Sequence, residues 1–412
     1  MPHAPPDTSA PPPALSPPAE RLHGLDACRA VAMLLGVFVH AAIPYQTHGG
    51  GGWAFDDPAE SAWITAAIHV LHSFRMPLFF LLAGFFAALL VERRGVRGLL
   101  VNRGARLGVP LLLGMLTISP LCGLAWAIAA GELEHVTPAG LAREVTGFWH
   151  LWFLRDLLVL VAACGLVAWA VPRRWLRAAG DRVAAAVLHP LGGVPAAAVL
   201  IGWTLLLHPW WGLRDPGAWP RWENLLHHGL WFGVGACLWP HRGRLRATLG
   251  RRWAWLAAFG GVAAGANLWV AERMFALGGF ELGSPGEEPR WLGLAARGTY
   301  ALMAAALVLA FVGAFVRHAS RPNTAARYVS DASYWAYLIH FPLVVAAGRA
   351  AAGLAVPPEA KVLLVLGAVC PVLLVTYALL VRRTLIGRIL NGPARVTQRA
   401  AGRGPRGGAA AV

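Results

Sequence analysis

Charged side chains are scarce in this 412-residue sequence, and lysine is almost absent. Only 14% of the residues are charged and 57% are hydrophobic, and Lys361 is the single lysine among 36 basic residues. A water-soluble protein carries about 25% charged residues, whereas a bundle of membrane-spanning helices needs far fewer. The composition therefore excludes an ordinary soluble domain and predicts an all-α, polytopic membrane helix bundle.

Cysteine is also rare, and its spacing is not that of a metal or redox site. The five cysteines lie singly in apolar runs, without a Cys-x-x-Cys pair or a His/Cys ligand pattern. We expect them to pack between helices. No metal cofactor is predicted.

Ten apolar stretches are long enough to cross the ~30 Å hydrocarbon core at ~1.5 Å per residue. With a cytoplasmic N-terminus, most arginines fall in cytoplasmic segments, as expected for a membrane protein. The net charge of +16 thus indicates membrane topology and not nucleic-acid binding, and both termini are predicted to be cytoplasmic. The stretches lie near 25–43, 63–91, 107–129, 151–172, 191–208, 222–240, 253–275, 291–316, 328–350 and 361–381.

The two ends of the chain differ from this apolar part. Residues 1–20 are rich in proline and are predicted to be a disordered cytoplasmic tail without a signal peptide. Residues 386–412 are predicted to be a flexible basic tail. This division leaves residues 21–385 as one transmembrane domain.

Five arginines lie inside predicted spans, where an isolated charge costs ~2.5 kcal/mol or more. Each needs a partner or a wet cavity, so each is a candidate functional residue. They are Arg29, Arg75, Arg155, Arg297 and Arg349.

Polar side chains of four non-adjacent spans fall at a similar depth. His40 lies about 16 Å beyond Arg29 along a helix axis, in the outer half of the first span. The other three spans contribute His69, His72 and Arg75; Trp149, His150, Trp152, Arg155 and Asp156; and Tyr337 and His340. This convergence predicts a buried polar cavity without naming a reaction.

Structural explanations remain open for several of these groups. Arg29 could pair with Asp26 at i and i+3, and Arg155 with Asp156. Tryptophans at 149 and 152 could belong to an aromatic belt. Histidines near helix ends are predicted to be interfacial, namely His69, His72, His227 and His228. A functional role is favoured for His40, because an imidazole within an apolar helix buries polar atoms without an evident gain in stability.

Five motifs in order resemble the acyltransferase-3 family of integral membrane O-acyltransferases. The resemblance covers residues 21 to about 385. The motifs are Arg29 followed after ten residues by His40, LHSFRMPLFFLLAGFF (71–86), NRGARLGVP (102–110), GFWHLWFLRDLLVL (147–160) and DASYWAYLIHFPL (331–343).

This resemblance implies about ten transmembrane helices in the inner membrane. It also implies transfer of an acyl group from cytoplasmic acyl-CoA, either succinyl-CoA or acetyl-CoA, to a hydroxyl of a glucan or other glycan on the far side. By matching motif, His40 is the catalytic histidine and Arg29 its partner, while Arg103 and Arg106 form the cytoplasmic basic element. The sequence departs from the family pattern in spacing these two arginines as RxxR instead of RxR. It also lacks the acid of the WSLSVEE motif found in the larger glycan O-acetylases and has Asp156 close to that position.

General chemistry agrees with these roles. An imidazole with a pKa of ~6.5 is suited to deprotonate a sugar hydroxyl, so His40 is the first candidate base and His340 the second. Donors for an oxyanion are expected from Arg75, Tyr337 or Trp152, and Arg103 and Arg106 suit the phosphates of coenzyme A. Substrate contacts are predicted at His150, Trp152, Asp156 and Tyr337.

Two further predictions concern the donor and a competing function. If the donor is succinyl-CoA, Arg75 or Arg297 could pair with its carboxylate. The competing hypothesis is a transporter of an anion or sugar, but no internal repeat or pair of broken helices supports it.

Overall fold

Helices make up the regular structure of this protein. The computed structural model describes residues 23–47, 52–190, 193–208, 217, 219–276, 289–321 and 323–391, and these ranges contain no β-strand. Their α-helices are α1 (His23–Ala42), α2 (Ala62–Arg103), α3 (Val109–Ala130), α4 (Pro138–Glu144), α5 (Trp152–Ala170), α6 (Arg173–Val187), α7 (Gly193–Gly202), α8 (Trp222–Leu238), α9 (Leu249–Ala276), α10 (Arg290–His318), α11 (Thr324–Ala352), α12 (Pro358–Thr376) and α13 (Leu385–Asn391).

The predicted all-α membrane fold is confirmed. A helix occupies each of the ten apolar stretches, and seven helical runs in the described ranges are long and apolar enough to cross a membrane. The run Ala62–Ala130 includes two of the ten stretches, and Gly193–Leu207 is a shorter apolar helix. The count of ten spans and the cytoplasmic termini remain predictions.

The 69-residue run Ala62–Ala130 bends at a glycine. At ~1.5 Å per residue it is about 100 Å long, over three times the hydrocarbon thickness. Gly95 interrupts it with φ 67° and ψ −178°, a conformation that favours glycine. A π-helical turn, Gly104–Gly108, then leads into α3. With this break, the run is long enough to cross the membrane twice.

Glycines allow close helix crossings in the interior. A Cβ added to Gly84 on α2 would overlap the carbonyl of Phe232 on α8, and one added to Gly235 would overlap the carbonyl of Leu81. Small residues allow helix backbones to approach closely within membranes. The two glycines thus bring α2 and α8 together.

Helix α1 is surrounded by α2, α10, α11 and α12, and α11 also packs against α3. This arrangement brings helices distant in sequence together around α1. The first described residues of the predicted C-terminal tail belong to α13, where Leu390 is buried. The rest of that tail and the tail at 1–20 lie outside the described residues.

Candidate active site

Three histidines from separate parts of the chain meet beside α11. His40 comes from α1, His340 from α11, and His150 from the 3-10 turn Trp149–Leu151 before α5. The ring centroids of His40 and His340 are 5.2 Å apart, and those of His340 and His150 are 5.0 Å apart. Histidines 340 and 150 are buried, while His40 is half-buried. Three of the predicted polar spans therefore do converge.

Backbone hydrogen bonds determine which nitrogen carries the proton in two of these rings. Nδ1–H of His340 donates to the carbonyl of Tyr337 at 2.7 Å, and Nε2–H of His150 donates to that of Leu338 at 3.0 Å. The remaining nitrogens, Nε2 of His340 and Nδ1 of His150, are buried and have no partner in the described part of the chain. Each ring therefore presents a lone pair that can accept a proton.

The turn that carries His150 is strained and tied to α11. Trp149 has φ 42°, in the left-handed region that non-glycine residues rarely adopt. The hydroxyl of Tyr337 donates to the carbonyl of His150 at 2.8 Å, and the indole Nε1–H of Trp149 donates to Glu144 at 2.9 Å. These contacts hold the turn in place, and stored strain of this kind clusters at functional sites.

Arg75 of α2 approaches α1 at Gly36, one helical turn before His40. Gly36 precedes His40 by four residues, and a Cβ added there would lie 2.6 Å from Nη1 of Arg75. The guanidinium thus occupies space that only glycine leaves free. Nε of Arg75 is buried, and it has no hydrogen-bond partner among the described residues. The guanidinium acts electrostatically on His40, His340 and Tyr337, so the cluster combines basic nitrogens with a cation.

Aromatic rings pack around His40. Phe341 is 5.2 Å from the His40 ring and stacks on His150 at 5.3 Å. Trp53 lies 6.3 Å from His40 and 5.4 Å from Trp126. Apart from Phe341, which belongs to a matched motif, these rings were not among the predicted site residues. The approach of Trp53 to His40 depends on how the segment before α2 folds back, whereas Trp126 belongs to α3.

A second cluster of polar groups lies at the N-terminal end of α1. Arg29, Arg103 and Arg106 interact electrostatically with one another and with Tyr334. Arg106 donates to the carbonyl of Leu390 at 3.1 and 2.7 Å, and the hydroxyl of Tyr334 donates to the carbonyl of Arg106 at 2.7 Å.

This arginine cluster is electropositive. The pair between Arg29 and Asp26, left open by the sequence, is present but long, at 4.0 Å. Three guanidiniums in one place suit an anion such as a phosphate. The structure thus brings Arg29 to Arg103 and Arg106, and about 16 Å along α1 separates it from His40.

Two other predicted site residues lie beside the histidine cluster and not within it. Trp152 stacks on His228 with 5.9 Å between ring centroids. Asp156 is fully buried and accepts a hydrogen bond from Nε of Arg155 at 2.9 Å, while Arg155 also donates to the carbonyl of Gly217. The local ion pair, one of the two explanations for Arg155, is therefore present.

The prediction that His227 and His228 are interfacial is wrong. Both are buried: Nδ1 of His227 lies 2.8 Å from the hydroxyl of Thr204, and His228 stacks on Phe80 at 4.1 Å. Their position near the start of a tryptophan-rich helix resembled an interface, but α2 covers His228 and the turn with Thr204 covers His227. His72 is exposed, whereas His69 is half-buried and bonded to Asn267 at 2.6 Å.

Sequence reasoning also missed Gly36. Its position four residues before His40 places both on one helical face, and this spacing was the available signal.

A family model described as an acyltransferase domain, Acyl_transf_3, matches residues 22–381. The chain belongs to the acyltransferase-3 family. This confirms the resemblance inferred from the five motifs, and the chain is a multi-pass membrane protein of this family.

Curated relatives match part of the chain. It is 34% identical over 167 residues to the glucans biosynthesis protein C of Salmonella typhimurium and to that of Salmonella typhi, which is 38% of this chain and 42% of each relative. The protein of the same name from Shigella dysenteriae serotype 1 is 34% identical over 156 residues, 36% of this chain and 39% of the relative. The chain thus spans about two fifths of the relatives' length. No solved structure matches.

The contact between Gly36 and Arg75 can be tested by one methyl group. We expect Gly36→Ala to leave the fold intact, because the overlapping atom is the free end of a side chain, and to displace the guanidinium from its place below His40. Acyl-transfer turnover should fall about tenfold, since one charge-assisted hydrogen bond is worth ~1.5–3 kcal/mol. Turnover and thermal unfolding of the purified protein measure the two effects.

The matched control is Gly265→Ala on α9, where nothing lies within 4 Å of an added Cβ. Wild-type turnover in Gly36→Ala, with the Gly265→Ala control also unchanged, would show that the position of Arg75 is irrelevant to the reaction.

Proposed function

We propose that the protein transfers an acyl group, succinyl or acetyl, from cytoplasmic acyl-CoA to a hydroxyl of a glucan or related glycan across the inner membrane. The observation that carries this proposal is the pairing of two sites along α1. An electropositive cluster with Arg29 lies at one end, and a histidine cluster with His40 lies about 16 Å away. A coenzyme A thioester is built the same way, with phosphates at one end and the reactive carbonyl at the other.

The donor's phosphates are assigned to the arginine cluster. Arg103 is the last residue of α2 and Arg106 lies in the π-helical turn that follows, in the region that the arginine distribution predicts to be cytoplasmic. A guanidinium offers a planar fork of N–H groups that matches phosphate oxygens. The electrostatic interaction of Arg29 with this pair supports a third contact to the donor, and so gives Arg29 a binding role instead of a role beside the base.

The acyl transfer itself is assigned to His40. Its imidazole accepts the proton of the sugar hydroxyl, the oxygen attacks the thioester carbonyl, and the resulting tetrahedral oxyanion expels the coenzyme A thiolate. The imidazolium then returns its proton to the thiolate, so that an ester and free coenzyme A are formed. His340, with its unpartnered Nε2 in the adjacent ring, is the second candidate for the base or for orienting the acceptor.

Arg75 is assigned to the negative charge at the reacting centre. A guanidinium beside His40 can stabilise the oxyanion or pair with the free carboxylate of a succinyl group. Arg297, the other arginine considered for that carboxylate, donates to the carbonyls of Leu205, Gly293 and His208. The contrast supports Arg75 for this role.

The acceptor side is assigned to residues around the strained turn. Tyr337 and His150 are linked to each other and flank His340, so they border the position where a hydroxyl would meet the base. Trp152 and Asp156 lie beside this region and are the further proposed acceptor contacts. The relatives' name, glucans biosynthesis protein C, supports a glucan as the acceptor.

Replacement of His40 tests the base. We expect His40→Ala to reduce acyl transfer at least 100-fold, in line with the contribution of a general base, while the amount of protein inserted in the membrane is unchanged. Release of free coenzyme A from succinyl-CoA and from acetyl-CoA, in the presence of a glucan oligosaccharide, measures the activity. His135→Ala, at an exposed histidine, is the control. Full activity of His40→Ala would reject this mechanism.

Replacement of the arginines tests the donor site. We expect Arg103→Gln with Arg106→Gln to raise the KM for acyl-CoA at least tenfold, because charge-assisted hydrogen bonds are worth ~1.5–3 kcal/mol each. Arg29→Gln should have the same kind of effect, on donor KM more than on kcat. The control is Arg93→Gln with Arg94→Gln, a pair of exposed arginines. An unchanged donor KM in the first double variant would remove the cluster from the donor site.

A further inference from the structure

The single lysine of the chain forms a buried ion pair that takes no part in the proposed acyl transfer. Lys361, in the first turn of α12, donates from Nζ to both carboxylate oxygens of Asp57, at 2.9 and 2.7 Å, and to the carbonyl of Ala352 at 3.1 Å. The exposed fractions of the two side chains are 3% and 0%. Three N–H donors thus meet three oxygens, which uses the full hydrogen-bonding capacity of an ammonium group.

Stability alone is a poor reason for this pair. Removing two charges from water is costly, and apolar residues of similar volume often replace a buried ion pair without loss of stability. A buried pair does fix the relative position of the two segments that carry it, because either partner alone would be an uncompensated charge. Asp57 thus fixes the segment of the chain that carries it.

Asp57 lies in the segment 52–61, between α1 and α2. This segment has three further attachments: Ser61 donates from its backbone N–H to the carbonyl of Tyr45 at 2.9 Å, its hydroxyl donates to Glu359 at 2.5 Å, and the ring of Phe55 packs against Gly348 on α11. The segment is thus attached to α11 and α12 near its middle and at its end.

The same segment presents Trp53 to the histidine cluster. Trp53 precedes Asp57 by four residues, and its ring lies 6.3 Å from that of His40, with 24° between the planes, and 5.6 Å from Phe341. Its indole Nε1 is buried and finds no hydrogen-bond acceptor among the described residues. Trp53 therefore offers an apolar ring face and an unused donor next to the proposed base.

We propose that Trp53 binds the sugar ring of the acceptor and that the Asp57–Lys361 ion pair is a positioning element that holds Trp53 over His40. A pyranose ring has apolar C–H faces and a polar rim. It can pack a face against an indole while a rim oxygen accepts from Nε1 and a hydroxyl meets the imidazole. This inference deepens the acyltransferase function proposed above and rests on it.

Two reactions separate this role from a general structural one. Transfer to an acceptor is followed with succinyl-CoA or acetyl-CoA and glucan hexasaccharides of α- and β-linkage. Loss of the thioester without an acceptor reports hydrolysis by water. We expect Trp53→Ala to raise the acceptor KM about tenfold and to increase hydrolysis, because water then reaches His40. Trp53→Phe should keep most of the acceptor affinity.

Loss of the ion pair should have the same two effects on acceptor KM and hydrolysis, because it displaces Trp53. We expect Asp57→Asn to raise the acceptor KM and increase hydrolysis, and Lys361→Arg to fail as a substitute, because a planar guanidinium does not match three oxygens placed around an ammonium. The double variant Asp57→Leu with Lys361→Met preserves packing without charge and should also show a raised acceptor KM. Asp56→Asn, at the exposed neighbouring acid, and Trp63→Ala, at an exposed tryptophan, are the matched controls and should behave as wild type.

Several results would overturn the inference. One is an unchanged acceptor KM in Trp53→Ala, or in the folded double variant at 57 and 361. Another is an equal decrease of transfer and hydrolysis, which indicates general damage to the fold. If the wild-type protein consumes no acyl-CoA at all, the acyltransferase donor is wrong and this inference falls with it. If the wild-type protein transfers the acyl group and Trp53→Ala has no effect, this inference is wrong while the proposed acyltransferase function stands.

Discussion

A charge placed in the hydrocarbon of a membrane must be compensated, and this constraint organises the interior of the protein. Arg155 pairs with Asp156, while Arg297 and Arg349 donate to backbone carbonyls. Arg75 differs from these three, because its buried Nε has no partner among the described residues. An uncompensated guanidinium beside His40 is costly unless an anion arrives there, and a tetrahedral oxyanion or a donor carboxylate is such an anion. We therefore interpret the position of Arg75 as a functional feature and the other three arginines as parts of the scaffold.

Helix α1 connects the two halves of the proposed reaction. Its N-terminal end contributes Arg29 to the arginine cluster, and its other end contributes His40, with Gly36 making room for Arg75 between them. Helix α11 runs alongside and supplies Tyr334 at the first cluster and His340 at the second. Two adjacent helices thus set the distance between an anion-binding region and a proton-accepting region. The segment 52–61 then brings Trp53 beside the second region, and we propose that the Asp57–Lys361 pair of the same segment holds it there.

The helical fold could be predicted from the sequence because apolar length alone determines what can cross a bilayer. The convergence of His40, His150 and His340 also followed, since their depths depend only on helix rise and chain direction. Other features depend on tertiary packing. Tertiary packing buries His228 against Phe80 of α2 and His227 against Thr204, and the folding back of an irregular segment brings Trp53 to His40. The grouping of Arg29 with His40 came from a shared motif, yet eleven residues of helix separate them by about 16 Å.

The most direct test of the central claim is an experimental structure of the protein with a thioether analogue of succinyl-CoA, which keeps the shape of the donor but cannot transfer its acyl group. We expect density for the phosphates against Arg103 and Arg106, and for the thioether sulfur beside His40 with the acyl group towards Arg75. A donor whose sulfur lies far from His40, or whose phosphates bind away from both arginines, would contradict the claim that α1 links the two ends of one acyl-CoA molecule.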